Sequence, residues 1–180
     1  MNQGKSILYI ACTLDGFIAG ENNDLSFLSM VEKDGDDYYG YGDFIKTIDT
    51  IIMGRTTYDW VNQHAPEYVN SDKETYIITH SQKLSGIGNS QHLNLYSGDL
   101  QKLVTSLLSQ GKRIFIEGGS EIIQQLLSGQ LIDEFYIAIV PVLIGKGTPL
   151  FGNGDYPPQK LKLQEITKYD TGLVQLHYLK

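Results

Sequence analysis

Two adjacent glycines close an apolar run in IFIEGGSEIIQQLL, residues 114–127, and they are the first place in this chain where residue types suggest chemistry. Gly118 and Gly119 carry no Cβ, so a ligand can approach their backbone closely. If a helix begins just after them, the amides of Ser120 and Glu121 face out of its N-terminus, which favours a phosphate or pyrophosphate. A tight strand-to-helix turn with Ser120 as its cap reads the same residues equally well. In IIMGRTTYDW, residues 51–60, Gly54 precedes Arg55 and Thr56 at a second helix start. A guanidinium and a hydroxyl there can hold a phosphate monoester, such as the 2′-phosphate of NADPH. The competing reading is an exposed arginine with Thr56 as a cap. Thr79, His80 and Ser81, in IITHSQK, add groups suited to a phosphate or a ribose, although His80 alone reads as a solvated loop histidine. A fourth segment, ACTLDGFIAG at residues 11–20, closes another apolar run with a Leu-Asp-Gly turn.

These segments must be held by strands and helices, and the pattern supplies both. Residues 6–12 read as a strand, 20–36 as a polar loop and 37–48 as a helix weakened by Gly40 and Gly42. Residues 50–53 form a short buried strand, and a helix begins at Thr57. Residues 74–79 and 93–96 read as further strands. Asp99 is placed to cap a helix in which Leu100, Leu103, Val104, Leu107 and Leu108 share one face. Residues 113–117 read as a strand, 120–127 as a helix and 134–142 as a long strand. Residues 161–169 and 173–179 flank Asp170-Thr171-Gly172 as a hairpin. Short buried strands alternating with helices predict a three-layer α/β/α domain over residues 1–180, with a mostly parallel mixed sheet and a C-terminal antiparallel hairpin. In such a sheet ligands sit beyond the carboxyl ends of the strands, where all four segments lie.

The bulk properties narrow the partners. A chain of 180 residues with net charge −7 offers no basic surface for nucleic acid. No apolar stretch approaches the roughly 20 residues of a membrane helix, and the N-terminus does not read as a signal peptide. The single cysteine, Cys12, permits no internal disulfide and agrees with a cytoplasmic protein. It lies in an apolar run, so it reads as a buried thiol. His64, His80, His92 and His177 show no metal-ligand spacing. GYGDFI lacks the third glycine of a dinucleotide fingerprint, and GKGT lacks the spaced glycine of a P-loop.

Taken together, ACTLDGFIAG, IIMGRTTYDW, IEGGSEIIQQLL and LIDEFYIAIVPVLIGKGTPLF resemble, in that order, the segments of dihydrofolate reductase-like proteins. The Glu-Gly-Gly form at Glu117 favours the reductase branch of riboflavin biosynthesis. The resemblance implies an NADPH-dependent reductase acting on a pteridine- or pyrimidine-type molecule. A folate-type, carbonyl or imine reductase and an inactive nucleotide-binding protein are the alternatives. It also implies that Ala11, Asp15, Gly16 and Ile18 line the nicotinamide end, and that Gly54, Arg55 and Thr56 meet the adenosine phosphates. Thr79, His80 and Ser81 would flank the ribose, and Glu117, Gly118, Gly119, Ser120, Glu121 and Ile122 would wrap the pyrophosphate. Hydride addition to C=N or C=O must be balanced by a proton, and Asp37 and Glu117 are the candidate acids. Each has a plainer reading: Asp37 as a helix cap in an acidic run, Glu117 as a brace for the turn. The apolar surface of residues 135–142 and of the hairpin around Asp170, with the resemblance, implies a homodimer.

Overall fold

Apolar runs too short for helices, each closed by glycine or polar residues, become the central strands. The computed structural model describes residues 3–31, 39–66, 72–81, 91–152 and 154–180. In chain order the elements are β1 (Lys5–Thr13), β2 (Phe17–Ala19), α1 (Tyr41–Lys46), β3 (Thr50–Gly54), α2 (Arg55–His64), β4 (Glu74–Ile78) and β5 (Leu93–Tyr96). They continue with α3 (Leu100–Ser109), β6 (Arg113–Gly118), α4 (Ser120–Ser128), β7 (Glu134–Val140), β8 (Thr148–Pro149), β9 (Lys162–Lys168) and β10 (Val174–Leu179).

Eight strands form one sheet in the order β5-β4-β3-β6-β1-β7-β10-β9. The six from β5 to β7 are parallel, and β10 and β9 add the antiparallel hairpin beside β7. Alternation along each strand sends its side chains to two cores. Leu8, Ile52, Ile114 and Ile116 face α3 and α4, meeting Val104, Leu107, Ile123 and Leu126. Ile7, Ile51, Met53 and Phe115 face α1 and α2, meeting Phe44, Tyr58 and Val61. Each fully buried aliphatic side chain stabilises the fold by roughly 1.5–3 kcal/mol. Helices therefore cover both faces of the sheet around β3 and β6, and the layered α/β architecture matches the expectation.

Several boundaries differ for physical reasons. Helix α1 covers only 41–46, opening after Gly40 at φ 85°, and the expected acid Asp37 lies outside the described residues. Within the expected loop, residues 21–23 and 26–30 form short 3-10 turns. Helix α2 begins at Arg55, two residues before the expected start, because its polar first turn carries no apolar periodicity. Strand β7 stops at Val140, where Pro141 removes a donor. Strands β2 and β8 escaped the sequence entirely. They are three and two residues long, too short for a pattern, and pair across a long stretch of chain.

Candidate functional site

Parallel strands deliver their exits to one edge of the sheet, and a cleft of about 1260 Å³ opens there, across the ends of β4, β3, β6 and β1. That exceeds the roughly 300–1,000 Å³ of a pocket for one drug-sized ligand. Its middle is built at the β6 exit. Gly118 has φ 104°, a left-handed conformation that a side chain would strain. Gly119 differs. Its φ of −72° suits any residue, and an added Cβ would find only Thr57 Oγ1, at 3.6 Å. The peptide between them is cis. Gly118 thus answers to the turn, whereas the bareness of Gly119 answers to the cleft.

Gly119 is the N-cap of α4, with no side-chain cap, and its carbonyl accepts from the Ile123 amide at 3.2 Å. The amides of Ser120, Glu121 and Ile122 precede the first helical bond and border the cleft. The cap is therefore Gly119, and Ser120 is the first residue of the helix. Helix α2 repeats the arrangement: Gly54 is its N-cap, again without a side-chain cap, and Arg55, Thr56 and Thr57 line the cleft. The two starts are neighbours because Met53 pairs with Gly118 across β3 and β6. A Cβ on Gly54 would lie 3.7 Å from the Gly119 nitrogen. Helix α3 contrasts with both, since the Asp99 carboxylate accepts from the Lys102 amide at 3.1 Å. Arg55 is oriented by Asp59, donating from Nε to both carboxylate oxygens at 2.8 Å.

Beyond β6 the cleft is lined by aromatic and apolar side chains. Tyr9 stacks on Phe44 at 4.4 Å, donates to the Tyr39 carbonyl at 3.0 Å and accepts from Gln175 Nε2 at 2.8 Å. Tyr41 and Phe115 meet edge to face. Among them stands Glu117, which borders the cleft but keeps its Oε2 enclosed, with no donor among the described residues. Burial pushes its carboxyl up to about 8, so the protonated form dominates at neutral pH. Burial, then the nearby Glu117, raises the Tyr41 hydroxyl in turn. A buried carboxyl of this kind can donate a proton to a ligand.

Most of the residues singled out from the sequence converge here. Ala11, Ile18, Gly54, Arg55, Thr56, Thr79, His80, Glu117, Gly119, Ser120, Glu121 and Ile122 all line the cleft. Gly118 is the turn behind it. Asp15, Gly16 and Ser81 stand outside its lining. Asp15 accepts from the amides of Ile144 and Gly145 at 3.1 and 2.7 Å and from the Thr13 hydroxyl at 2.5 Å. Chiefly the Thr13 bond, then the Gly145 and Ile144 amides, holds its carboxyl below the usual range. Asp15 therefore ties the segment before β8 to the turn after β1 and brings Thr148 to the cleft. The Ser81 amide donates to Thr79 Oγ1 at 3.1 Å. Sequence reasoning missed the aromatic wall, although the period of two along β1 and β6 puts Tyr9 beside Ala11 and Phe115 beside Glu117.

Comparison with known proteins identifies the family and supports the fold. A family model for the RibD C-terminal domain matches residues 5–175. The uncharacterized protein YwjB of Bacillus subtilis (strain 168) is 36% identical over 177 residues, covering 98% of both chains. A protein from Shewanella sp. PV-4, assigned by name to riboflavin biosynthesis, superimposes with a TM-score of 0.86 at 26% identity, over 97% of this chain and 98% of that one. A diaminohydroxyphosphoribosylaminopyrimidine deaminase/5-amino-6-(5-phosphoribosylamino)uracil reductase from Thermotoga maritima shares the fold, with a TM-score of 0.72 at 15% identity. The match covers 98% of this chain but 56% of that longer one.

The buried acid has a measurable consequence for stability. Its carboxyl titrates near 4.5 when unfolded and near 8 when folded, so the folded chain holds the extra proton between those values. Stability is accordingly lost as pH rises through that window. Glu117→Gln has no charge to bury. It should match the parent near pH 4 and become the more stable protein by about pH 9, measured by denaturant unfolding. A difference that does not grow with pH would contradict the enclosed carboxyl.

Proposed function

The chain belongs to the RibD C-terminal domain family, and from that premise we propose that it is an NADPH-dependent reductase of a small pyrimidine- or pteridine-type molecule. One observation carries the reading: the bare backbone at Gly119 lies between two helix starts without side-chain caps, next to a buried acid. The open space before Gly119 and the amides of residues 120–122 fit a pyrophosphate. Arg55 and Thr56 suit the 2′-phosphate, and Thr79 and His80 suit the adenosine. Ala11 and Ile18, at the β1 side, are left for the nicotinamide. When bound, NADPH supplies a hydride. The chain's own part is orientation, exclusion of water by Tyr41 and Phe115, and a proton held on the Glu117 carboxyl for the acceptor's nitrogen or oxygen. The name of the Thermotoga protein gives that protein a phosphoribosylaminouracil as its acceptor, a pyrimidine-type ring of this class. The lone Cys12, buried and with its thiol pushed up to about 11, suits a cytoplasmic protein of this kind.

The preference for NADPH rests on Arg55. A charge-assisted contact to the extra phosphate is worth roughly 1.5–3 kcal/mol, or about ten- to hundred-fold in affinity. Calorimetric titration should give that margin over NADH, and Arg55→Ala should erase it while the protein stays folded. Equal affinity of the parent for both cofactors would sink the assignment.

The same reading includes a homodimer. On strand β9, at the sheet edge, Leu163 and Ile166 are 45% and 58% exposed. Across the bulge in β9 they pair with Tyr178 and Leu176, which share one face of the sheet, so both add apolar surface to that face beside an open edge. Light scattering at micromolar concentration should return close to twice the 20.2 kDa of one chain. A mass near one chain would contradict the dimer.

A further inference from the structure

The cleft has two halves of different chemistry, divided by the helix starts at Gly54 and Gly119. Toward β4 and β5 it is polar, with Thr79, His80, Ser97 and Asp99. Toward β1 it is bounded by Leu25, Phe27, Leu28, Tyr41 and Trp60, with Glu117 at its floor. Among the described residues, the basic side chains on the cleft wall are Arg55 and His80, at the helix start and in the polar half. Lys146, the nearest lysine to the β8 turn, is not part of the wall. The β1 half thus combines flat apolar surfaces with one carboxyl whose Oε2 lacks a partner.

Each feature constrains the ligand. Aromatic and aliphatic walls favour a planar ring, which buries area on both faces. A buried acid in such surroundings rewards a ring edge carrying N–H or nitrogen acceptors, because an unmet polar atom there is costly. An anionic tail would lose its hydration against these walls, and no basic side chain among the described residues lines this half to pair it. We propose that the β1 half of the cleft takes an uncharged, planar nitrogen heterocycle with a donor-acceptor edge toward Glu117, and discriminates against the same ring carrying a phosphate. This rests on the reductase reading for which half is the substrate's. It narrows the substrate class to unphosphorylated rings. Leu28, at the mouth and 38% exposed, is the residue whose replacement should change the preference.

The test uses pterin, guanosine and guanosine 5′-monophosphate, titrated onto protein saturated with NADPH so that the cofactor's share of the cleft, its nicotinamide end at the β1 side included, is filled. Pterin and guanosine should bind, and the monophosphate should bind at least about tenfold more weakly than guanosine. Leu28→Arg, at a site exposed enough to tolerate the change, should reverse that order while the protein stays folded. A monophosphate that binds the parent as well as or better than guanosine overturns the proposal, and so does NADPH-saturated protein that binds none of the three. Titrations without cofactor separate the two readings. Protein that fails to bind NADPH yet binds pterin, and prefers guanosine to its monophosphate, overturns the reductase and upholds this inference.

Discussion

The site depends on one constraint: the chain must pass from β6 into α4 within two residues while leaving its backbone bare toward the cleft. Gly118 meets the first demand through its left-handed conformation, and Gly119 meets the second. Neither would matter if the turn were free to move. It is fixed because β6 lies between β3 and β1 at the centre of the sheet, with Ile114, Phe115 and Ile116 almost fully buried. Pairing of Met53 with Gly118 then sets the start of α2 beside the start of α4. Packing of two cores thus sets two helix starts without side-chain caps side by side at the cleft.

The electrostatics follow from the same geometry. A chain of net charge −7 repels anions at long range, so a phosphate must be held by local groups. A helix N-terminus contributes about 0.3–1 kcal/mol toward an anion, and a charge-assisted hydrogen bond about 1.5–3 kcal/mol. Under the proposed function, two helix starts and Arg55 together would outweigh the diffuse repulsion, which salt screens over roughly 8–10 Å. Glu117 does not oppose them at neutral pH, because burial keeps it protonated. Under the proposed function, the carboxyl that would spoil an anion site is neutral and can serve as the proton source.

The sequence made the strands and the Gly-Gly turn legible because burial on both sheet faces leaves unbroken apolar runs, and because a glycine pair at a strand end is rare enough to notice. Asp99 was legible as a cap for the same local reason, and the structure places its carboxylate on the Lys102 amide. What stayed hidden depends on distant contacts. Asp15 lies in a segment that faces the cleft, yet its side chain turns to amides of residues 144 and 145, which no local pattern reveals. The pairing of β2 with β8 is hidden likewise, although a Cβ on Gly147 would fall 2.0 Å from the Ala19 carbonyl oxygen and so requires a glycine there. The wall of Tyr41, Phe27 and Leu28 comes from the first residue of a six-residue helix and from a short 3-10 turn, both too short to show a period. Asp37 lies outside the described residues, whereas Glu117 is a buried carboxyl bordering the cleft.

The division of labour between the two glycines is the central claim, and Gly119→Ala measures it. Its backbone conformation suits alanine and the new methyl meets nothing closer than 3.6 Å, so denaturant unfolding without cofactor should change by less than about 1 kcal/mol. The methyl would, however, project into the cleft where the proposed pyrophosphate would touch the backbone. Fluorescence titration of the same variant should therefore show NADPH affinity reduced at least about tenfold. A folded variant that binds NADPH as tightly as the parent would make the pair a turn and nothing more, and would contradict the account.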